Sequence, residues 1–163
     1  MTKLERAIKY AKAQIERLSP YIWSGQGQRL AKINLAKLAE MEDSAENASR
    51  VAAFVYKNIK RYDPKRSKCY DCSGYVCEIL RYAKVFYGDL TADGIMKKFN
   101  KPISKTARRA GDLVFRTDKN GHAYHVGFLL SPDLVAEAKG RDWGVVASPW
   151  DADHWQEVRR VFD

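Results

Sequence analysis

The sequence predicts an α+β domain in which helices come first and an antiparallel sheet follows. Three observations carry this. Apolar residues recur at three- and four-residue steps through the first sixty positions, which is helical spacing. Beyond residue 110 the texture changes to short apolar or alternating runs, punctuated by Gly111-Asp112, Asn120-Gly121, Ser131-Pro132-Asp133 and Gly140. Between the two regions, Cys72 stands at the start of an amphipathic helix. At 163 residues the chain has the length of one domain, 1–163, with 1–60 as a helical segment packed on the remainder.

The elements follow in order. Leu4, Ile8, Ala11, Ile15 and Leu18 mark a first helix closed by Ser19-Pro20. Its apolar face is small, rich in alanine and without aromatics, which suits packing on a domain better than lying on a membrane. Trp23-Ser24-Gly25-Gln26-Gly27 reads as a loop, and a second helix is expected from Arg29 to Met41. Asp43 with Glu46 has the spacing of a capping box for a third helix carrying Ala48, Val51, Ala52, Val55 and Ile59, ended by Asp63-Pro64. The cysteine helix carries Val76, Ile79, Leu80, Ala83 and Tyr87, and Gly88 stops it. Strands are expected at 113–115, 124–130, 134–138 and 144–147, with a last one over 158–162.

Bulk properties bound the partners. Lys and Arg total 29 against 20 for Asp and Glu, a formal charge of +9, so the surface attracts polyanions. No segment is long and apolar enough to span a bilayer. The charged start, Met1 to Arg6, has no apolar signal region, so the chain is expected to be made in the cytoplasm and to leave it by lysis or a dedicated machine. Three cysteines (Cys69, Cys72, Cys77) without a signal segment point to reduced thiols rather than a disulfide framework.

The chemistry converges on Cys72. A thiol in the first turn of a helix sits against the positive end of the dipole, which favours thiolate, and the unpaired N–H groups there suit an oxyanion. A cysteine nucleophile needs a base, and the base an orienting partner. His125 lies in an apolar strand and Glu137 in the next, equally distant from Ser131. A hairpin turning at Ser131-Pro132-Asp133 sets them opposite or diagonal to each other. Cys72, His125 and Glu137 therefore form a coherent nucleophile, base and orienter.

The segments Asp71-Cys72-Ser73-Gly74-Tyr75-Val76, Gly111-Asp112-Leu113-Val114-Phe115 and His125-Val126-Gly127-Phe128 resemble, in this order, the signatures of the NlpC family of papain-like cell-wall peptidases. The resemblance runs from about Arg61 to Phe162. It implies a papain-like fold, Cys72 as nucleophile, His125 as base, and no metal or other cofactor. It also implies hydrolysis of an amide in peptidoglycan, most commonly between D-glutamyl and the diamino acid. An N-acetylmuramoyl-L-alanine amidase of the same fold is the alternative. Glu137 occupies the place where members more often carry His, Asn or Gln. The family binds a substrate amine through the Asp before the nucleophile, the Ser after it and an upstream Tyr. Asp71 and Ser73 match, and Tyr62 is the nearest upstream tyrosine, although its surroundings lack the usual Tyr-x-Trp-Gly-Gly run.

Competing readings remain beside this one. Cys69 and Cys72 form a C-x-x-C, but no second ligand pair exists for zinc, and Lys65-Arg66-Ser67-Lys68 does not read as the buried strand of a redox motif. Cys77 is expected to pack in the core. His122 reads as a turn residue, and His154 as a surface or structural contact. Trp143 and Trp150 are expected in packing, with Trp143 at the groove if exposed. The basic clusters at 57–61, 65–66 and 108–109 suit anionic cell-wall polymers. Nucleic acid is not the expected partner, because no recognised binding motif is present. A basic, small, leaderless lytic enzyme fits a phage or prophage endolysin working as a monomer. The non-enzymatic reading is a basic binding module whose triad has fallen out of use.

Overall fold

The computed structural model describes residues 1–163. Helix α1 (Lys3–Glu16) is opened by a reciprocal capping box, in which the Glu5 N–H donates to Thr2 Oγ1 and the Thr2 N–H to the Glu5 carboxylate. It buries Ala7, Tyr10, Ala11 and Gln14, while Leu4, Ile8 and Ile15 flank the core. The most buried face is thus rotated from the aliphatic stripe, because Tyr10 is held by a 2.6 Å hydroxyl contact with buried Tyr70.

The expected second helix is divided. Gln26–Arg29 forms strand β1, a 3-10 turn follows, and α2 covers Leu35–Glu42 with Asn34 as its N-cap. The Asp43–Glu46 capping box is not formed. Asp43 ends α2 in a left-handed conformation, φ 52°, and Ser44 caps α3 (Ala45–Lys57) instead. Lys68–Tyr70 is a strand, β2, paired antiparallel with β1. It is too short and too mixed to show a period of its own and exists because β1 and the segment at Tyr21 pair with it. Residues 30–67 therefore leave and rejoin the body at the feet of one ribbon. They enclose a separate apolar cluster of Ile22, Leu38, Met41, Val51 and Cys69.

Helix α4 (Cys72–Tyr82) ends earlier than the apolar run suggests, since Lys84 turns left-handed and Tyr87 is exposed. Helix α5 (Ala92–Lys98) is capped by Thr91; its seven residues, with a glycine at 94, carry too little periodicity to predict a helix. The sheet comprises β3 (Leu113–Thr117), β4 (Ala123–Ser131), β5 (Leu134–Gly140), β6 (Gly144–Pro149) and β7 (Glu157–Arg159). Their order is β6-β5-β4-β3-β7, every neighbour antiparallel. The last strand is shorter than expected, because only Glu157–Arg159 meet β3.

One face of the sheet receives α1, α4 and α5 and forms the main core with Leu113, Phe115, Val126, Phe128 and Ala136. Each large apolar side chain fully buried here contributes about 1.5–3 kcal/mol. A smaller cluster of Val114, Leu129, Val135, Trp155 and Val158 covers other sheet residues. The Asp112 carboxylate, 1% exposed, takes both Arg160 Nε (2.9 Å) and Nη2 (2.8 Å) and ties the chain's end to the start of β3. The whole is an α+β arrangement with Cys72 at the mouth of its central helix.

Candidate active site

Cys72 is the first residue of α4, and Asp71 is its N-cap. The Asp71 Oδ1 accepts from the Gly74 N–H at 2.7 Å and from the Ser73 hydroxyl at 3.3 Å. Burial pushes the Asp71 carboxyl up, against the lowering pull of those hydrogen bonds. Residues 20–25, just before β1, wrap over this corner. The Ile22 N–H donates to Tyr70 O at 3.1 Å, and the Asp71 N–H donates to Gly25 O at 2.8 Å. Glycine is required on both sides of that approach. A Cβ at Gly74 would lie on the Gly25 carbonyl oxygen, and one at Gly25 would be 2.8 Å from the Tyr70 backbone. Both obstacles are main chain and cannot swing aside. Gly74→Ala is therefore expected to destabilise the domain by about 3 kcal/mol or more, read as a lowered midpoint in urea.

His125 and Glu137 meet across the β4–β5 hairpin. Phe128 pairs with Ala136 and Leu129 with Val135, which places His125 and Glu137 diagonally. His125 Nε2 and Glu137 Oε1 are 2.9 Å apart, and the carboxylate is 2% exposed. The other ring nitrogen, Nδ1, remains for the Cys72 sulfur. Burial opposes charge on the ring, but hydrogen bonding to Cys72 and to Glu137, with their charges, outweighs it and pushes the pKa up to about 9. Burial likewise penalises the Glu137 carboxylate, yet the bonds and charge from His125, helped by Ser148, hold it below its usual value. At neutral pH the pair is an imidazolium clamped by a carboxylate.

The ring is braced from behind. Trp155, 1% exposed, stacks on His125 with centroids 5.6 Å apart and planes 20° from parallel. Gly127 makes room, since a Cβ there would be 2.6 Å from Val135 Cγ1 and 3.2 Å from the Trp155 ring. His154 stands edge-on to Trp155 at 5.1 Å and lines the groove, so it is part of the site rather than a surface contact alone.

The groove holds about 550 Å³ and brings together Asp71, Cys72, Ser73, His125 and Glu137. Tyr62 is not there. Its hydroxyl donates to Leu18 O at 3.0 Å, and its ring lines a separate apolar cavity with Ile22, Leu38 and Val51. The tyrosine beside Cys72 and Asp71 is Tyr21, whose hydroxyl pKa is raised by burial and by those two neighbours. A signal for it exists in the sequence. Tyr21-Ile22-Trp23-Ser24-Gly25 is the Tyr-x-Trp-Gly-Gly run with one substitution, separated from Cys72 by the 30–67 excursion. Trp23 and Trp143, both more than half exposed, stand on the rim. Cys69 is fully buried, its thiol pushed up to about 12 by burial, and Cys77 is 3% exposed within the core.

Residues 57–162 match the model of the NlpC/P60 family. No curated sequence is significantly similar to the chain. Among solved structures, the P60 domain of an antigen from M. avium subspecies paratuberculosis is 21% identical, with a TM-score of 0.59, over 99% of this chain and 96% of that one. RipD from Mycobacterium tuberculosis, described as a non-catalytic NlpC/p60 domain protein adapted to peptidoglycan binding, is 16% identical with a TM-score of 0.64 over 99% of both chains. The peptidoglycan hydrolase RipB of the same organism is 20% identical with a TM-score of 0.62, over 99% of this chain and 65% of that one. At these identities the structural likeness speaks for the fold. The family match covers most of the chain and contains the cysteine, the histidine and the glutamate. The protein belongs to the NlpC/P60 family, whose members are generally cysteine peptidases of peptidoglycan and include non-catalytic forms.

Proposed function

We propose that this chain is a cysteine hydrolase of bacterial peptidoglycan, cleaving the amide between a D-glutamyl residue and the diamino acid of the stem peptide. The observation that carries the reading is the buried His125–Glu137 pair facing Cys72 in one groove. With the proton held on the His125 ring, the Cys72 sulfur attacks the amide carbon as a thiolate. The N–H groups of Cys72 and Ser73, in the first turn, have no intrahelical acceptor and suit the oxyanion. The C–N bond breaks as His125 passes its proton to the leaving amine. The neutral ring then takes a proton from water, whose oxygen attacks the acyl-thioester; the C–S bond breaks, releasing the glutamyl acid and restoring the Cys72 thiolate beside the protonated ring. Asp71, Ser73 and Tyr21 line the groove where the family's amine-binding residues are expected. The net charge of +9 supports adsorption to anionic wall polymers and a lytic role as a monomer.

A second reading, wall binding without catalysis, is favoured by the unusual Glu137 and by the likeness to RipD. The test is mass spectrometry of fragments from purified peptidoglycan treated with the protein and with its Cys72→Ala variant. New diamino-acid amines that need Cys72 support the endopeptidase; new L-alanine amines point to the amidase. Unchanged walls with retained pull-down on insoluble peptidoglycan favour the binding module.

A further inference from the structure

We propose that Arg141 is a specificity-determining residue that reads a free carboxylate on the substrate, and that Glu42 of the 30–67 excursion is its positioning residue. The proposal rests on the peptidoglycan reading of the same groove. The Glu42 side chain is completely buried, and both its oxygens are engaged. Oε1 accepts the Trp23 N–H at 2.8 Å, and Oε2 accepts Arg141 Nε at 2.6 Å. The Arg141 guanidinium lies 5.7 Å from the Tyr21 ring centroid and 5.9 Å from that of Trp23. Arg141 lines the groove, and its terminal Nη groups make no hydrogen bond within the chain.

A buried ion pair is a weak source of stability. This one fixes one edge of a guanidinium and leaves Nη donors for a ligand, the arrangement suited to a carboxylate. The excursion grips the same turn a second time, since Arg50 Nη2 is 2.7 Å from the Asp142 carboxylate. The β5–β6 turn is thus held on the groove by two residues of the excursion. The remaining charges agree. The acids of the groove are committed, Asp71 to the helix cap and Glu137 to His125. Arg116 and Lys139 are further cations on its walls. The groove therefore carries positive charge that its own acids do not pair, which attracts an anionic substrate. A glutamyl residue joined through one carboxyl keeps the other free, and a diamino acid carries its own. Either supplies the anion.

The experiment compares kcat/KM on two pairs of synthetic alanyl-glutamyl-diamino acid peptides. In one pair the free glutamyl carboxylate is replaced by a carboxamide, in the other the diamino acid carboxylate. The protein is expected to favour the acid over the amide by about 10- to 100-fold in one pair, the worth of one charge-assisted hydrogen-bonded contact; that pair names the source. In Arg141→Gln the acid-to-amide ratio is expected to fall to about one, and in Glu42→Gln to an intermediate value, chiefly through KM. The double Glu42→Gln, Arg141→Gln variant leaves no unpaired buried charge and provides the same ratio where the single variants fold poorly. No acid preference in either pair, or a preference that survives Arg141→Gln, overturns the proposal. If no peptide is cleaved, the hydrolase reading fails for these substrates. Calorimetric titration of the same peptides into the Cys72→Ala protein then decides: tighter binding of an acid form that needs Arg141 upholds the carboxylate subsite, and equal or absent binding overturns it.

Discussion

Replacing Cys72 by alanine is expected to lower hydrolysis of peptidoglycan fragments by on the order of 10⁴-fold or more, with little change in stability. The sulfur is the only group placed both at the first turn of α4 and beside the His125 ring. No neighbouring nucleophile replaces it, because Ser73 donates to Asp71 and Cys69 is fully buried. The helix cap uses the Asp71 carboxylate and the Gly74 N–H, so the substitution leaves the corner intact. His125→Ala is expected to cost nearly as much, and the double variant little more than either, since the two act as one unit. Initial rates on a defined peptide, with circular dichroism to confirm folding, check this.

Glu137→Gln is expected to lower kcat/KM by about 10²- to 10⁴-fold, the range for removing a charge that orients and stabilises an imidazolium. Its signature is in the pH profile. The wild-type ring, pushed up to about 9, keeps its proton through neutral pH, so activity is expected to decline as pH rises through about 9. Without the carboxylate the ring loses one of the influences that raise its pKa, and that upper limb moves to lower pH. Stability follows the same sign. The His125 pKa is higher in the folded state than its ordinary 6.5, so its contribution is complete below about 6.5 and is lost as pH rises through about 9. Glu137 is shifted down from 4.5, so its contribution is present above that value and is lost as pH falls through the folded pKa. Urea midpoints between pH 4 and 10 are expected to peak near pH 4.5–6.5 from this pair, and the peak flattens in Glu137→Gln.

Local pattern made much of the site legible. A cysteine before helical spacing, and two polar residues in apolar strands at equal distances from a turn, bring Cys72, His125 and Glu137 to one place because those relations are set by helix and hairpin geometry. Local pattern misplaced the cap at Asp43, where Ser44 wins the first turn of α3 and Asp43 closes α2. It also missed β2, whose strand character comes from its partners.

The succession of helices and then an antiparallel sheet, and the placing of Cys72 at a helix start with His125 and Glu137 on neighbouring strands, were determined by the sequence itself, through periodicity and turn chemistry within a few residues. The tyrosine of the groove was decided only by the tertiary structure. Tyr62 is nearer to Cys72 in the chain, but Tyr21 is nearer in space, because the β1–β2 ribbon closes the 30–67 excursion and folds residues 20–25 over the helix mouth. The pairing of Glu42 with Arg141 is of the same kind. Contacts across such separations leave no period in a sequence; they arise when packing joins surfaces that local preference has already formed.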